Sequence, residues 1–288
     1  LLDVLRDVHV EAVEWHHLIG HAPCIRTLHE RLGVPYDVFI HDHVWFCPRI
    51  SLCDGDGRYC GEPDIAGCEQ CVTRWGGYLG EDISVSDLVA RSGRELSSAR
   101  RLMAPCEDTV RRIRRHFPGL TIEAVALEDD TALRKLIHTD HRAAYGQPLR
   151  VCVVGGISQW KGYDTLLALA AEIQTHRLPI ELSLVGHTHD DDALMALGVR
   201  VTGEYREDEV QALIRQQQPD VGLIPSIAPE TWCYALGQIW RSGLEAVCFD
   251  LGAQGERVSR SGTGLAVPLG VPPFQLAMLL LRRWGDAG

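Results

Sequence analysis

Residues 221–258, VGLIPSIAPETWCYALGQIWRSGLEAVCFDLGAQGERV, set an apolar run, a loop, an amphipathic run and a second apolar run in succession. No other stretch narrows the fold as much. VGLIP is too short for a helix and ends on proline, so it reads as a buried strand. SIAPE is a loop, residues 231–241 carry apolar side chains at helical spacing, and Gly243 closes that run as a C-cap glycine does. LEAVCF predicts a second strand, with LGAQGE as a glycine-bearing loop at its carboxyl end. Strand, loop, helix, strand is a βαβ unit, and its loops meet where open parallel sheets bind ligands. With the helix expected directly after Glu230, the amides of Trp232, Cys233 and Tyr234 form an anion site beside a carboxylate. Amides for phosphate and one acid for hydroxyls suit a sugar nucleotide.

The second half of the chain alternates in the same way. Strands are expected at 149–156, entering a glycine turn, at 180–188 and over VRVTG, with helices at KGYDTLLALAAEIQTH, DDDALMALG and EDEVQALIRQQQP. This alternation predicts a doubly wound parallel sheet of α/β class. Residues 1–148 offer four strands, at 7–12, 36–40, 100–105 and 120–126, and a helix over 18–32 ended by Gly33 and Pro35. Residues 85–98 read as a polar surface helix, and the basic run RRIRR at 111–115 as a solvated helix face or a membrane-facing patch. Residues 127–148 are charged and weakly periodic, which places the interdomain connection there. The expected domains are 1–140, carrying a Cys-rich loop at 47–71, and 141–288.

The 288 residues suffice for two compact domains, and 45% hydrophobic content gives ample core. A formal charge of −11 argues against nucleic acid as a partner. No run reaches the length of a membrane span and no signal peptide is visible, so the expected location is the cytoplasm, with peripheral contact at the inner face of the membrane as an option. The chain begins at Leu1 rather than Met, which reads as a fragment, an excised domain or a trimmed chain. Five of the ten cysteines lie between Cys47 and Cys71. That clustering favours metal binding over a disulfide framework, with Cys68 and Cys71 as a Cys-x-x-Cys knuckle and Cys60 plus Cys47 or Cys53 completing four thiolates. Zinc, free or redox-active thiols and disulfides are the alternatives. A closed four-thiolate site would be structural, with no position left for water.

The order of these motifs resembles the retaining glycosyltransferases of family four, which have the GT-B fold of two facing Rossmann-like domains. The likeness runs from about residue 7 to 268: VFIHDHVWFCP at 38–48, the Cys-rich loop, APC at 104–106, VVGGISQWKG, TGEY at 202–205, PETW and the glycine loop. The resemblance implies a metal-independent transfer from a nucleotide-diphosphate sugar to a glycan or lipid-linked acceptor, with retention, in bacterial-type polysaccharide assembly. It implies that His41 lies beside the donor sugar, that Lys161 neutralises the leaving diphosphate, and that Glu230 holds sugar hydroxyls. Each has a structural alternative: a strand-end histidine, a helix-cap lysine and an N-terminal helix acid. Gly155 and Gly156 let backbone approach the diphosphate, Gly252 offers an amide near the phosphates, and Tyr205 either stacks on the base or packs its loop. The resemblance also selects Cys47, Cys60, Cys68 and Cys71 as the zinc set, with Cys53 spare.

The sequence departs from the family's pattern at several points. Gly156 stands where relatives often have an arginine, Gln238 where the second acid of the signature stands, Glu245 where proline is usual, and Cys106 where a serine caps a helix. Gln238 can still hydrogen-bond a ribose hydroxyl. The first half of the N-terminal domain, with its glycine-rich acceptor loop, is expected to be absent. These departures support an alternative: a non-catalytic GT-B module of a larger polypeptide that binds a nucleotide sugar or a partner protein. A GT-B-like epimerase is a third reading. No Asp-x-Asp motif is placed between strand and loop in the manner of metal-dependent transferases, and no Walker loop or GxGxxG fingerprint follows a strand.

Overall fold

The structure, a computed structural model, describes residues 1–139 and 141–286. The expected domain edge at residue 140 and the last two residues of the expected C-terminal domain lie outside these. The chain divides into two units, Leu1–Leu127 and Glu128–Gly288. Residues 128–139, expected with the N-terminal half, pack with the second unit, because Glu128 and Asp130 are ion-paired to Arg257.

The first unit contains α1 (Leu2–Asp7), β1 (Val13–Trp15), a 3-10 turn (Pro23–Thr27), α2 (Leu28–Leu32), β2 (Tyr36–Phe39), α3 (Ile65–Trp75), α4 (Val85–Ser98), β3 (Arg101–Ala104), α5 (Glu107–His116) and β4 (Glu123–Ala124). The four strands form one parallel sheet in the order β1-β2-β3-β4. Its core gathers Val38, Ile40, Trp45, Phe46, Ala104, Val110 and Ile113. The strand expected at 7–12 lies instead at Val13–Trp15, where Val13 and Trp15 pack on this core; Val8 is exposed and α1 buries nothing. Pro23 opens the 3-10 turn, so the helix expected over 18–32 is reduced to α2, and Gly33 ends it in the left-handed conformation as anticipated. Helix α4 is more than a surface element: Val85, Leu88, Ser92 and Leu96 are buried. On α5 the cap is Cys106, whose sulfur accepts from the Thr109 amide at 3.5 Å. Arg112 of the basic run is buried on Asp108 and Glu62, whereas Arg111 and Arg115 remain exposed.

The second unit contains α6 (Asp130–Arg134), β5 (Leu149–Ile157), α7 (Tyr163–His176), β6 (Ile180–Thr188), α8 (Asp191–Ala196), β7 (Arg200–Val201), α9 (Val210–Gln217), β8 (Val221–Ile224), α10 (Tyr234–Arg241), β9 (Ala246–Phe249), α11 (Gly252–Ser261), β10 (Gly264–Val267) and α12 (Pro273–Trp284). Its six strands are all parallel, in the order β10-β9-β8-β5-β6-β7. Alternate residues of the central strands enter opposite cores. Val151, Val153, Leu223 and Val247 pack under α7 and α12, while Cys152, Val154, Ile224 and Cys248 pack under α9 and α10. Burial on both faces is why these strands read as unbroken apolar runs. The strand order reverses between β5 and β8, the topological switch point at whose carboxyl ends such sheets bind ligands.

Glu245, the departure at the start of β9, is 2% exposed and accepts from Trp284 Nε1 at 2.7 Å and Arg283 Nη2 at 3.3 Å. It ties the β9 edge to α12, a role proline could not take.

Among the described residues, no helix is long and apolar enough to cross a membrane.

Candidate functional site

The loops leaving β5 and β8 bring Lys161 and Glu230 together, with Lys161 Nζ 3.6 Å from Glu230 Oε2. The lysine is placed by Gly162, whose φ of +92° opens α7 and whose α-carbon faces the Pro225 carbonyl so closely that a Cβ would stand 2.0 Å from its oxygen. Only glycine meets both demands. The charge of Glu230 holds the Lys161 ammonium above its usual range. Burial pushes the Tyr205 hydroxyl up while the charge of Lys161 opposes it, so these groups share one electrostatic environment. Tyr205 also packs against the core beneath α10. The Cys233 thiol is raised far above its usual range, first by burial and then by the carboxylate of Glu230.

Helix α10 starts later than expected. Cys233 adopts a left-handed φ of +65°, so the helical path begins at Tyr234 and the first-turn amides are those of Tyr234, Ala235 and Leu236. Trp232 and Cys233 precede the helix and are buried; Tyr234 is exposed. A guanidinium that sequence reasoning overlooked holds this bend. Arg257 of α11 is 3% exposed, and its Nη1 donates to the Trp232 and Cys233 carbonyls, each at 2.9 Å. Its Nε and Nη2 donate to Asp130 and Glu128, and the group lies 3.8 Å from the centroid of the Trp232 ring. Glu128 also accepts from Trp232 Nε1 at 3.0 Å and from Arg241.

The same face of α11 fixes Glu230 itself. The Ala253 amide donates to the Glu230 carbonyl at 2.8 Å, and the Gln254 side chain accepts from the Glu230 amide at 3.2 Å and donates to the Ala228 carbonyl at 2.8 Å. Gly252, at φ +62°, presses so closely on this loop that a Cβ would lie 2.6 Å from the Glu230 nitrogen. Its absence of side chain therefore serves packing between α11 and the loop. The signal available in the sequence was ERV directly after the glycine loop, with Arg257 among apolar positions of a core-facing helix.

Gly155 and Gly156 do not form a turn. They lie within β5, paired with Gly186 and His187 of β6, and a Cβ at Gly156 would come 3.4 Å from the His187 ring. That imidazole lies beside Gly156, the departure from the family's pattern noted above. Gln238 faces α9: its side-chain oxygen accepts from Gln211 Nε2 at 2.7 Å, and Ser242 donates to Gln211.

In the first unit, His41 follows β2 and its Nε2 is 2.7 Å from His16 Nδ1. Burial, followed by the charge of His16, lowers its pKa. The Cys-rich loop is organised by Arg49, which is buried and donates to the carbonyls of Cys53, Trp75 and Gly76 at 2.9–3.1 Å. Cys68 and Cys71 lie on α3, a helix not foreseen in the loop. Burial raises the thiols of Cys47, to about 12, and of Cys68, to about 11, and Cys60 acts electrostatically on both. Among the described residues, no group of three or more His, Cys, Asp or Glu is arranged to hold a metal ion. A zinc site from Cys47, Cys60, Cys68 and Cys71 is thus a proposal that requires these side chains to close further around the ion.

Residues 148–283 match the family described as Glycosyl transferases group 1. No curated protein matches the chain by sequence. Several solved structures are similar in fold. HepE of Anabaena in complex with UDP has 13% identity and a TM-score of 0.61, over 97% of this chain and 71% of that one. The lipopolysaccharide outer core galactosyltransferase WaaB, in its apo form, has 12% identity and a TM-score of 0.61, over 99% and 70%. The pneumococcal O-GlcNAc transferase GtfA in complex with UDP and GlcNAc has 11% identity and a TM-score of 0.56, over 98% and 51%. The chain thus has the α/β fold of the GT-B glycosyltransferases, with parallel sheets of four and six strands, and residues 148–283 match the glycosyl transferases group 1 family.

Proposed function

We propose that this chain moves a sugar from a nucleotide-diphosphate donor to a glycan or lipid-linked acceptor, with retention of configuration and without a catalytic metal ion. The Lys161–Glu230 pair carries the reading: cation and acid meet at the switch point of the sheet, within the segment that matches the glycosyl transferases group 1 family. UDP in the solved structures of HepE and GtfA supports a nucleotide donor.

In this reading Lys161 exchanges part of its interaction with Glu230 for the donor diphosphate. The amides of Tyr234 and Ala235 at the start of α10 add oriented donors. Glu230 holds sugar hydroxyls, and Gly155 and Gly156, at the end of β5, present no side chain to the phosphates. Charge accumulates on the diphosphate as the glycosidic bond breaks, so fixed donors there lower the barrier. The acceptor attacks from the face the leaving group departs. His41 contacts the sugar as the family resemblance implies. Polysaccharide assembly at the inner face of the membrane is the setting that fits a lipid-linked acceptor.

A second reading, a nucleotide-sugar-binding module without catalysis, is favoured by Gly156 in place of a cation and by the engagement of Gln238 with Gln211. Calorimetric titration with UDP, GDP, ADP and dTDP, on the native chain and on Lys161→Ala, tests donor binding. One nucleotide should bind and weaken about tenfold in the variant, about 1.4 kcal/mol. Absence of binding by all four refutes both readings. Binding without sugar transfer selects the second.

A further inference from the structure

The carboxyl ends of β1 and β2 carry a chain of polar contacts that leads to His41 and whose other members the proposed reaction leaves unused. Glu14 lies within β1 and His16 directly after it; Phe39 ends β2 and His41 follows two residues later. His16 Nε2 is 2.5 Å from Glu14 Oε1, and His16 Nδ1 is 2.7 Å from His41 Nε2. The two imidazoles are inclined by only 29°, with centroids 5.0 Å apart, and Phe39 stacks on both. Alongside, His17 Nε2 is 2.8 Å from Asp42 Oδ2, and the other oxygen of Asp42 accepts from the Val44 amide.

The hydrogen bonds between Glu14 and His16 and between His16 and His41 constrain where the protons sit. An ionised carboxylate only accepts, so the proton of a neutral His16 resides on Nε2 and faces Glu14. His16 Nδ1 is then bare and can only accept, which requires the proton of His41 to sit on Nε2. The basic nitrogen of His41 is consequently Nδ1. Without the carboxylate, His16 is free to carry its proton on Nδ1, and His41 then adopts the opposite tautomer. The nitrogen remote from a partner is set by the hydrogen bond the other makes.

We infer that Glu14 and His16 form a positioning pair that fixes the tautomer of His41 and sets its response to pH. This inference rests on the proposal that His41 serves sugar transfer, but its physical content concerns the two histidines alone. The charged and titratable groups acting on His41 are Glu14 from β1, His16 and His17 from the residues directly after it, and the neighbouring Asp42. Burial and then the charges of His16 and His17 oppose a charge on His41, whereas Asp42 and Glu14 favour it. Near neutral pH His41 is therefore an uncharged imidazole with one defined donor and one defined acceptor.

Nitrogen-15 spectra of histidine-labelled full-length protein read tautomer and titration directly. The native chain should show His41 with its proton on Nε2. Glu14→Gln, a change at an exposed site, should lower the His41 midpoint by on the order of one unit and mix its tautomers. His16→Gln should move the midpoint the other way by removing a like charge. Opposite displacements are the mark of positioning, since loss of local structure would move both variants alike. An unchanged tautomer and midpoint in Glu14→Gln overturn the inference, as do displacements of the same sign. If the chain transfers sugar, Glu14→Gln should also displace the acid limb of the kcat profile while leaving KM unchanged. A native protein with the assigned tautomer and no transfer activity would refute the functional reading while sustaining the positioning pair.

Discussion

Replacing Arg257 by methionine keeps an apolar stem against Trp232 and removes one guanidinium from a site that is 3% exposed. The consequences can be followed group by group. The Trp232 and Cys233 carbonyls lose their donor in buried surroundings, at about 1–3 kcal/mol each. Glu128 retains Trp232 Nε1 and Arg241, and Asp130, 30% exposed in its side chain, can rehydrate. Removing one member of a buried charge cluster costs about 3–5 kcal/mol by analogy with other buried pairs. The two routes overlap, so the expected loss is about 3–5 kcal/mol. Urea unfolding followed by tryptophan fluorescence measures it. A double-mutant cycle with Glu128→Gln should show clear non-additivity, since the two groups share one network. A loss below about 1 kcal/mol, the range of an exposed ion pair, would refute the view that Arg257 holds the bend before α10. Because the bend precedes the amides assigned to the diphosphate, the same variant should also weaken nucleotide binding.

Gly162→Ala should destabilise the second unit by more than about 2 kcal/mol, since a positive φ and a collision with the Pro225 carbonyl act together; thermal unfolding checks this, and a neutral result would show that the α7 start can shift. Glu62 carries a pH signature: burial alone would raise its carboxyl, but His116, Arg112, Tyr59 and Arg115 together hold it down to about 2. An unfolded glutamate titrates near ~4.3, so the stabilisation is complete above that pH and disappears as pH falls towards 2. The melting-temperature difference between the native chain and Glu62→Gln should therefore narrow over this window, and a constant difference would contradict the assignment. Glu245→Ala leaves Trp284 Nε1 buried without its acceptor and should cost about 1–3 kcal/mol in denaturant unfolding. Elemental analysis tests zinc in the Cys-rich loop: one equivalent per chain supports the four-thiolate site, and its absence from protein purified without chelator removes it.

Much of the second unit was legible in the sequence because its central strands are buried on both faces and its helices on one. Apolar runs and helical spacing then report position directly, and β6 falls at the residues expected, Ile180–Thr188. The first unit was less legible. Its strands are two to four residues long, too short for periodicity to locate β1, and the Cys-rich loop concealed α3 because its composition suggested a turn. At the site, Lys161 and Glu230 were identified from motif order, and the structure does bring them together. Arg257, Glu128 and Gln254 were missed because they act on backbone or on one another across 24–129 residues of sequence.

By itself the sequence determined the α/β class, the parallel alternation and the residues carrying charge into the switch point, since these follow from local spacing and from which side chains avoid water. Only the tertiary structure decided where α10 begins, which partner Gln238 takes, and that Gly155 and Gly156 extend a strand. The physical reason is common to all three. A backbone bend or a polar side chain settles according to what a distant segment can donate or accept, and a left-handed Cys233 is sustained by an arginine that no spacing rule connects to it.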